Sequence, residues 1–176
     1  PDVSKAVTYD LKRTDTSLIM IGERKDECGG SVYYQLHNEL GANVPKPDFA
    51  EFGASVHAVT YIIQNGLALS SHDISEGGIA AALAEMSFRN NIGLKVEIPG
   101  TLQISKKLFS ETGGFILEVK RDRVDEVKKI IAEHKLTCAV IGNTNNTARI
   151  VMNDVIDIPV ADAKNAWENG LRDRLL

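Results

Sequence analysis

The stretch LALSSHDISEGGIAAALAEMSFRN, residues 67–90, restricts the fold of this chain more than any other. Leu67 to Asp73 reads as a strand that ends in polar residues. The pair Gly77 and Gly78 then opens a helix whose Ala80, Ala81, Ala82 and Ala84 indicate tight packing against another backbone. A strand feeding directly into a closely packed helix is the unit of a layered α/β architecture.

The remaining chain repeats that alternation. SLIMIG (17–22) is a short apolar run ending in glycine, as expected of a buried strand. After the polar loop GERKDECGGS, the spacing of Val32, Leu36 and Leu40 predicts a helix stopped by Gly41. VPKPD leads into a second amphipathic helix carrying Phe52, Val56, Val59 and Ile63, with Gly66 as its cap. LKVEI and FILEV read as strands flanking a short helix near Ser105 to Ser110. Val124, Val127, Ile130 and Ile131 share one face of a helix over 121–134, and TCAVIG supplies the next strand. ARIVM and VIDIPV form a strand pair joined at Asn153 and Asp154, and a last helix surrounds Trp167. The pattern predicts a mixed β-sheet packed with helices.

Composition removes several classes of function. A chain of 176 residues forms one domain, residues 1–176, or one lobe of a larger protein, able to bury roughly 70% of its unfolded surface. With 25% charged residues and a net charge of −4, nothing favours nucleic acid or an anionic membrane. No apolar run reaches the length of a membrane span. Cys28 and Cys138 are too far apart in sequence for a CxxC motif, and so few cysteines fit reduced thiols in the cytoplasm. The start at Pro1, without methionine, fits a lobe cut from a longer chain.

Two loops carry the candidate chemistry. Gly29, Gly30 and Ser31 precede a helix, and glycines with helix N–H groups behind them are the minimum equipment for holding phosphate. The spacing matches neither the P-loop nor the dinucleotide fingerprint, and the plainer reading of Ser31 is a helix cap. Asp73 sits at the end of a strand, where ligands of α/β sheets lie, with Ser75, Glu76, Gly77 and Gly78 beside the next helix. A carboxylate there could cap the helix, bind magnesium on a nucleotide, or accept a hydrogen bond from a ribose or amide. His37, His57, His72 and His134 show no metal-ligand spacing, and no GxSxG motif supports a serine nucleophile. Glu111, in LFSETGGFILEV, reads as a helix-end or turn residue and not as an acid catalyst. No catalytic or metal-binding residue is assigned.

Taken in order and spacing, CGGSVYY, SHDISEGGIAAALAEM and LFSETGGFILEV resemble the C-terminal lobe of the aminoimidazole-ribonucleotide-synthetase superfamily over nearly the whole chain. Within it, DISEGG followed by an AEM helix looks most like the synthetase subunits of phosphoribosylformylglycinamidine synthases. The resemblance implies the superfamily C-terminal-lobe fold, partly ferredoxin-like. It also implies a place as the last of four lobes in a ligase of purine biosynthesis. Such enzymes use ATP, Mg2+ and ammonia from a glutaminase subunit, with a small accessory subunit, to convert formylglycinamide ribonucleotide to formylglycinamidine ribonucleotide. Gly29, Gly30 and Ser31 would correspond to the lobe's phosphate loop, and Asp73, Ser75, Glu76, Gly77 and Gly78 to the strand-end loop facing the nucleotide cleft. The family's catalytic histidine and nucleotide lysine belong to other lobes, so this lobe alone would be inactive. Cys28 departs from the larger apolar residue usual before the glycines. Two other readings remain open: a scaffold or auxiliary-nucleotide lobe, and a lobe of another synthetase of the superfamily.

Overall fold

Asp48 starts the longest helix by accepting hydrogen bonds from the N–H groups of Ala50 and Glu51. The computed structural model describes residues 2–170. Along the chain come β1 (Thr16–Ile21), α1 (Val32–Leu36), α2 (Phe49–Gln64), β2 (Ala68–Asp73), α3 (Gly78–Phe88), β3 (Gly93–Val96) and α4 (Ile104–Phe109). There follow β4 (Phe115–Lys120), α5 (Val124–Glu133), β5 (Cys138–Asn145), β6 (Arg149–Met152), β7 (Ile156–Pro159) and α6 (Val160–Asn169).

The seven strands form one mixed sheet in the order β2-β4-β1-β5-β3-β6-β7. Neighbours are antiparallel except β3 and β6, which run parallel. β1 is buried along its whole length, as its continuous apolar run predicts. Its side chains alternate between two cores. Leu18 and Met20 join Ile79, Leu83 and Met86 of α3, while Ile19 and Ile21 join Val59 and Ile62 of α2 and Val127 and Ile131 of α5. The sheet is therefore covered on both faces, with α3 also packed against α4 and α6. Asn153 and Asp154 both adopt left-handed backbone between β6 and β7, and Val155 N–H donates to Met152 O at 3.0 Å.

Two sequence expectations fail in the same region. The helix from Ser31 ends at Leu36, and the anticipated stripe does not face a core: Leu36 is 69% exposed and Leu40 76%. Asn38 is left-handed, and the chain doubles back so that Gly30 N–H reaches Leu40 O at 2.7 Å. Gly41 therefore lies beyond the helix end and not at it. In α2 the buried side is Ser55, Ala58, Val59 and Ile62, leaving Phe52 and Val56 exposed. Gly66 does end this helix. It is left-handed, its N–H binds Ile63 O, and Leu67 N–H binds Ile62 O, the paired bonds of a Schellman cap.

The segment before β1 is fixed electrostatically. Burial alone would raise the Asp10 carboxyl, but hydrogen bonds and charge from Lys12, with help from Thr8, outweigh it and hold the pKa at about 2. Lys12 Nζ lies 2.6 Å from Asp10 Oδ2, and Asn90 Nδ2 donates to the same oxygen at 3.3 Å. A carboxyl whose folded pKa is depressed stabilises the fold above its unfolded pKa and loses that contribution as pH falls through the folded one. Asp10→Asn should thus lower stability at neutral pH and flatten the decline between about pH 4 and 2. Urea midpoints measured across that window check it, and an unchanged acid limb would remove Asp10 from the account.

Candidate functional site

β2 leaves the sheet at Asp73, which is paired with Phe115 at the start of β4. Ile74 turns its side chain into the core and donates its N–H to Gly114 O at 2.9 Å, while Asp73, Ser75 and Glu76 stay exposed. Gly77 then takes a left-handed conformation, φ 76°, directly before α3. Gly78 is also left-handed, and a Cβ there would lie 2.6 Å from Leu108 O and 2.8 Å from Phe109 Cα. Only glycine lets α3 begin this close to the end of α4. The alanines that follow allow the same close approach.

The first loop arrives at the same place from another direction. Gly29 donates its N–H to Asn43 O at 2.8 Å, and a Cβ on it would meet the Asn43 backbone at 2.7 Å. Ser31 N–H donates to Cys28 O at 3.1 Å, and Ser31 Oγ caps α1 by accepting from Tyr34 N–H at 3.2 Å. With Gly30 N–H on Leu40 O, all three N–H groups of Gly29, Gly30 and Ser31 are used within the chain. The cap reading of Ser31 therefore holds. Tyr33 of α1 stacks on Phe109 of α4, ring centroids 4.6 Å apart and planes nearly parallel.

Glu111 joins the two loops. Its Oε1 accepts from Val32 N–H at 2.9 Å and from Gly77 N–H at 3.0 Å. The turn that carries Glu111 is held from behind by Arg24, which is 8% exposed. Arg24 donates to Thr112 O at 2.6 Å, Gly113 O at 3.0 Å and Ser110 O at 3.4 Å. Burial lowers its pKa to about 10, opposed by the charge of Glu27, so the guanidinium stays charged at neutral pH. Glu27 also accepts from Thr112 Oγ1 at 2.9 Å. Burial, and secondarily Asp26, raises the Cys28 thiol, which suits packing and not nucleophilic chemistry.

His72 bridges β2 and α3: Nδ1 lies 2.7 Å from Asp73 O and Nε2 lies 3.2 Å from Glu85 Oε2, beside the Tyr9 ring. Among the described residues no three His, Cys, Asp or Glu side chains are grouped to hold a metal. On one side of the Glu111 turn lies a cleft of about 270 Å³ that includes Lys25, Lys46, Asp48, Glu51, Phe52 and Phe115. Across from it an apolar groove of about 410 Å³ runs between α1, α3 and the β6–β7 hairpin. Asp73 and Glu76 line neither.

The three segments singled out in the sequence thus meet at one carboxylate. Residues 13–155 match the family described as AIR synthase related protein, C-terminal domain. The chain belongs to this family. This AIR-synthase-related domain is 32% identical over 99% of its length to the phosphoribosylformylglycinamidine synthase subunit PurL of Methanothrix thermoacetophila, spanning 23% of that relative. It is 30% identical over 84% of its length to the probable membrane antigen 75 of Saimiriine herpesvirus 2, spanning 12% of it. Its fold matches T. maritima PurL complexed with FGAR at a TM-score of 0.80 and 16% identity, over 92% of this chain and 30% of that one. The domain therefore spans about a quarter of the PurL relatives it matches. Among the described residues no helix is long and apolar enough to cross a membrane.

The sequence missed what the family segments do to one another. Glu111 directly follows the C-cap of α4, and its carboxylate is the meeting point of both glycine loops. The signal that could have found it is the recurrence of an acid next to a glycine pair, as in Glu76 before Gly77-Gly78 and in Glu111 before Gly113-Gly114. Arg24 carries no pattern that would mark it.

Proposed function

We propose that the lobe, residues 1–176, is the C-terminal part of an ATP-dependent, cytoplasmic ligase of purine biosynthesis. That enzyme would convert formylglycinamide ribonucleotide and ammonia to formylglycinamidine ribonucleotide, with release of ADP and phosphate. The observation that carries this reading is similarity along 99% of the chain to a phosphoribosylformylglycinamidine synthase subunit, at 32% identity. Its partners would be the remaining lobes of the same polypeptide, a glutaminase subunit and a small accessory subunit.

The lobe's own residues fit ATP and magnesium only in part. Val32 and Gly77 N–H are taken by Glu111, and the N–H groups of Gly29, Gly30 and Ser31 are taken by backbone carbonyls. These five N–H groups thus already have partners within the chain, whereas no such partner engages the N–H groups of Ser75 and Glu76 among the described hydrogen bonds. Asp73, Ser75 and Glu76 remain at the exposed rim, where two carboxylates and a hydroxyl can orient a bound nucleotide or accept from it. When bound, ATP would supply phosphorylation of the amide oxygen, making it a competent leaving group. Gly78 then sets how closely α3 approaches α4 and Gly29 how closely its loop approaches the Asn43 backbone, while Gly30 and Gly77 supply left-handed turns before α1 and α3 and Ser31 caps α1.

The occupied N–H groups also favour a second reading, a scaffold lobe without a nucleotide of its own. Asp73→Asn and Glu76→Gln in the polypeptide carrying this lobe separate the two. The first reading expects ammonia-dependent ADP release to fall about tenfold or more with thermal stability unchanged. Turnover at the parent level with either variant would leave only the scaffold role.

A further inference from the structure

Two loops 45 positions apart, counted from Val32 to Gly77, share one acceptor atom. We propose that Glu111 is a positioning residue that fastens the two glycine loops into one unit, its Oε1 bridging Val32 N–H at 2.9 Å and Gly77 N–H at 3.0 Å. The geometry has three parts. The carboxylate is half-buried, so its bonds to the two N–H groups are charge-assisted and partly shielded from water. Its backbone cannot drift, because Arg24 grips the carbonyls of Ser110, Thr112 and Gly113 on both sides of it. Gly29 and Gly30 are turned back onto Asn43 and Leu40 while Gly78 is pressed on the end of α4, and among the described backbone hydrogen bonds none joins the two loops directly.

Glu111 acts as the internal anion of both loops. A displacement of the strand-end loop carrying Asp73, Ser75 and Glu76 is thereby passed to the Ser31 cap, and the reverse. The inference deepens the proposed function and rests on it only for which ligand the rim faces. The coupling itself is read from this chain.

Amide hydrogen exchange resolved by NMR on this chain tests it. Glu111→Ala should speed exchange about tenfold at both Val32 and Gly77, the loss of one charge-assisted bond at each. Gly29 and Ile74, whose N–H groups are held by Asn43 O and Gly114 O, should keep their parent rates. Glu111→Gln keeps an uncharged oxygen acceptor and should give a smaller rise at both amides. A change at only one of the two amides, at neither, or equally at Gly29 and Ile74 would overturn the proposal. These outcomes need no substrate, so a lost coupling would leave the ligase reading standing. Intact coupling in a polypeptide that releases no ADP would sink the ligase reading alone.

Discussion

Glu118→Ala is expected to destabilise the domain by about 3–5 kcal/mol, since each buried donor left unpaired costs about 1–3 kcal/mol. Glu118 lies in β4 with no exposed surface. Its carboxylate accepts from Lys12 N–H at 2.8 Å, Arg13 N–H at 3.0 Å, Thr16 Oγ1 at 2.9 Å and Ser70 Oγ at 3.0 Å. A carboxylate can only accept, so Thr16 gives it its single hydroxyl proton, and Thr144 Oγ1, 2.7 Å away, must donate to Thr16. Four donors lose their acceptor when the carboxylate is removed, and of these the Thr16 hydroxyl can turn to Arg13 O, 3.4 Å away. Two are backbone N–H groups that no rotamer change can redirect. Glu118→Gln keeps the shape but turns an NH2 toward donors, and should cost about 1–3 kcal/mol. Urea unfolding with an unchanged slope checks both. A midpoint within error of the parent for Glu118→Ala would mean that the segment before β1 is not held by this network.

The second large effect concerns the site. Gly78→Ala is expected to cost about 2–4 kcal/mol, from a left-handed backbone at φ 66° and from a Cβ placed 2.6 Å from Leu108 O. Both obstacles are backbone, so neither can be relieved by a rotamer change. The relief open to the lobe is to move α3 away from α4, which also lengthens the bond from Gly77 N–H to Glu111. Exchange at the Gly77 amide should rise beyond the global loss of stability, and equal change across all slow amides would contradict this route of strain. Gly30 is the contrast: it is left-handed too, but a Cβ there meets nothing within 4 Å. Its replacement by alanine should cost only the backbone term, about 1–2 kcal/mol, read from the same urea unfolding.

The sheet is legible because most of its strands contain short apolar runs close to turn residues, β2 starting apolar and ending polar. β1, β2, β4 and β5 lie where TSLIMI, ALSSHD, FILEVK and CAVIGN stand in the sequence. Helix ends were legible where one residue decides them, as Gly66 does for α2. The Val32, Leu36 and Leu40 stripe misled because helical periodicity records an apolar face without recording whether the same chain supplies its cover. Here Leu36 and Leu40 remain exposed, as do Phe49 and Phe52. The candidate loops were legible one at a time. Their convergence was not, since nothing in the spacing of Ser31, Gly77 and Glu111 says that one carboxylate oxygen lies within 3.0 Å of nitrogens from both loops.

The most direct test of the central claim is ammonia-dependent ADP release by the polypeptide that carries this lobe, with formylglycinamide ribonucleotide present or absent. Release should require the substrate and be matched by amidine product. Release that needs a different substrate, or no release at all, would contradict the proposed ligase function while leaving the family and the fold in place.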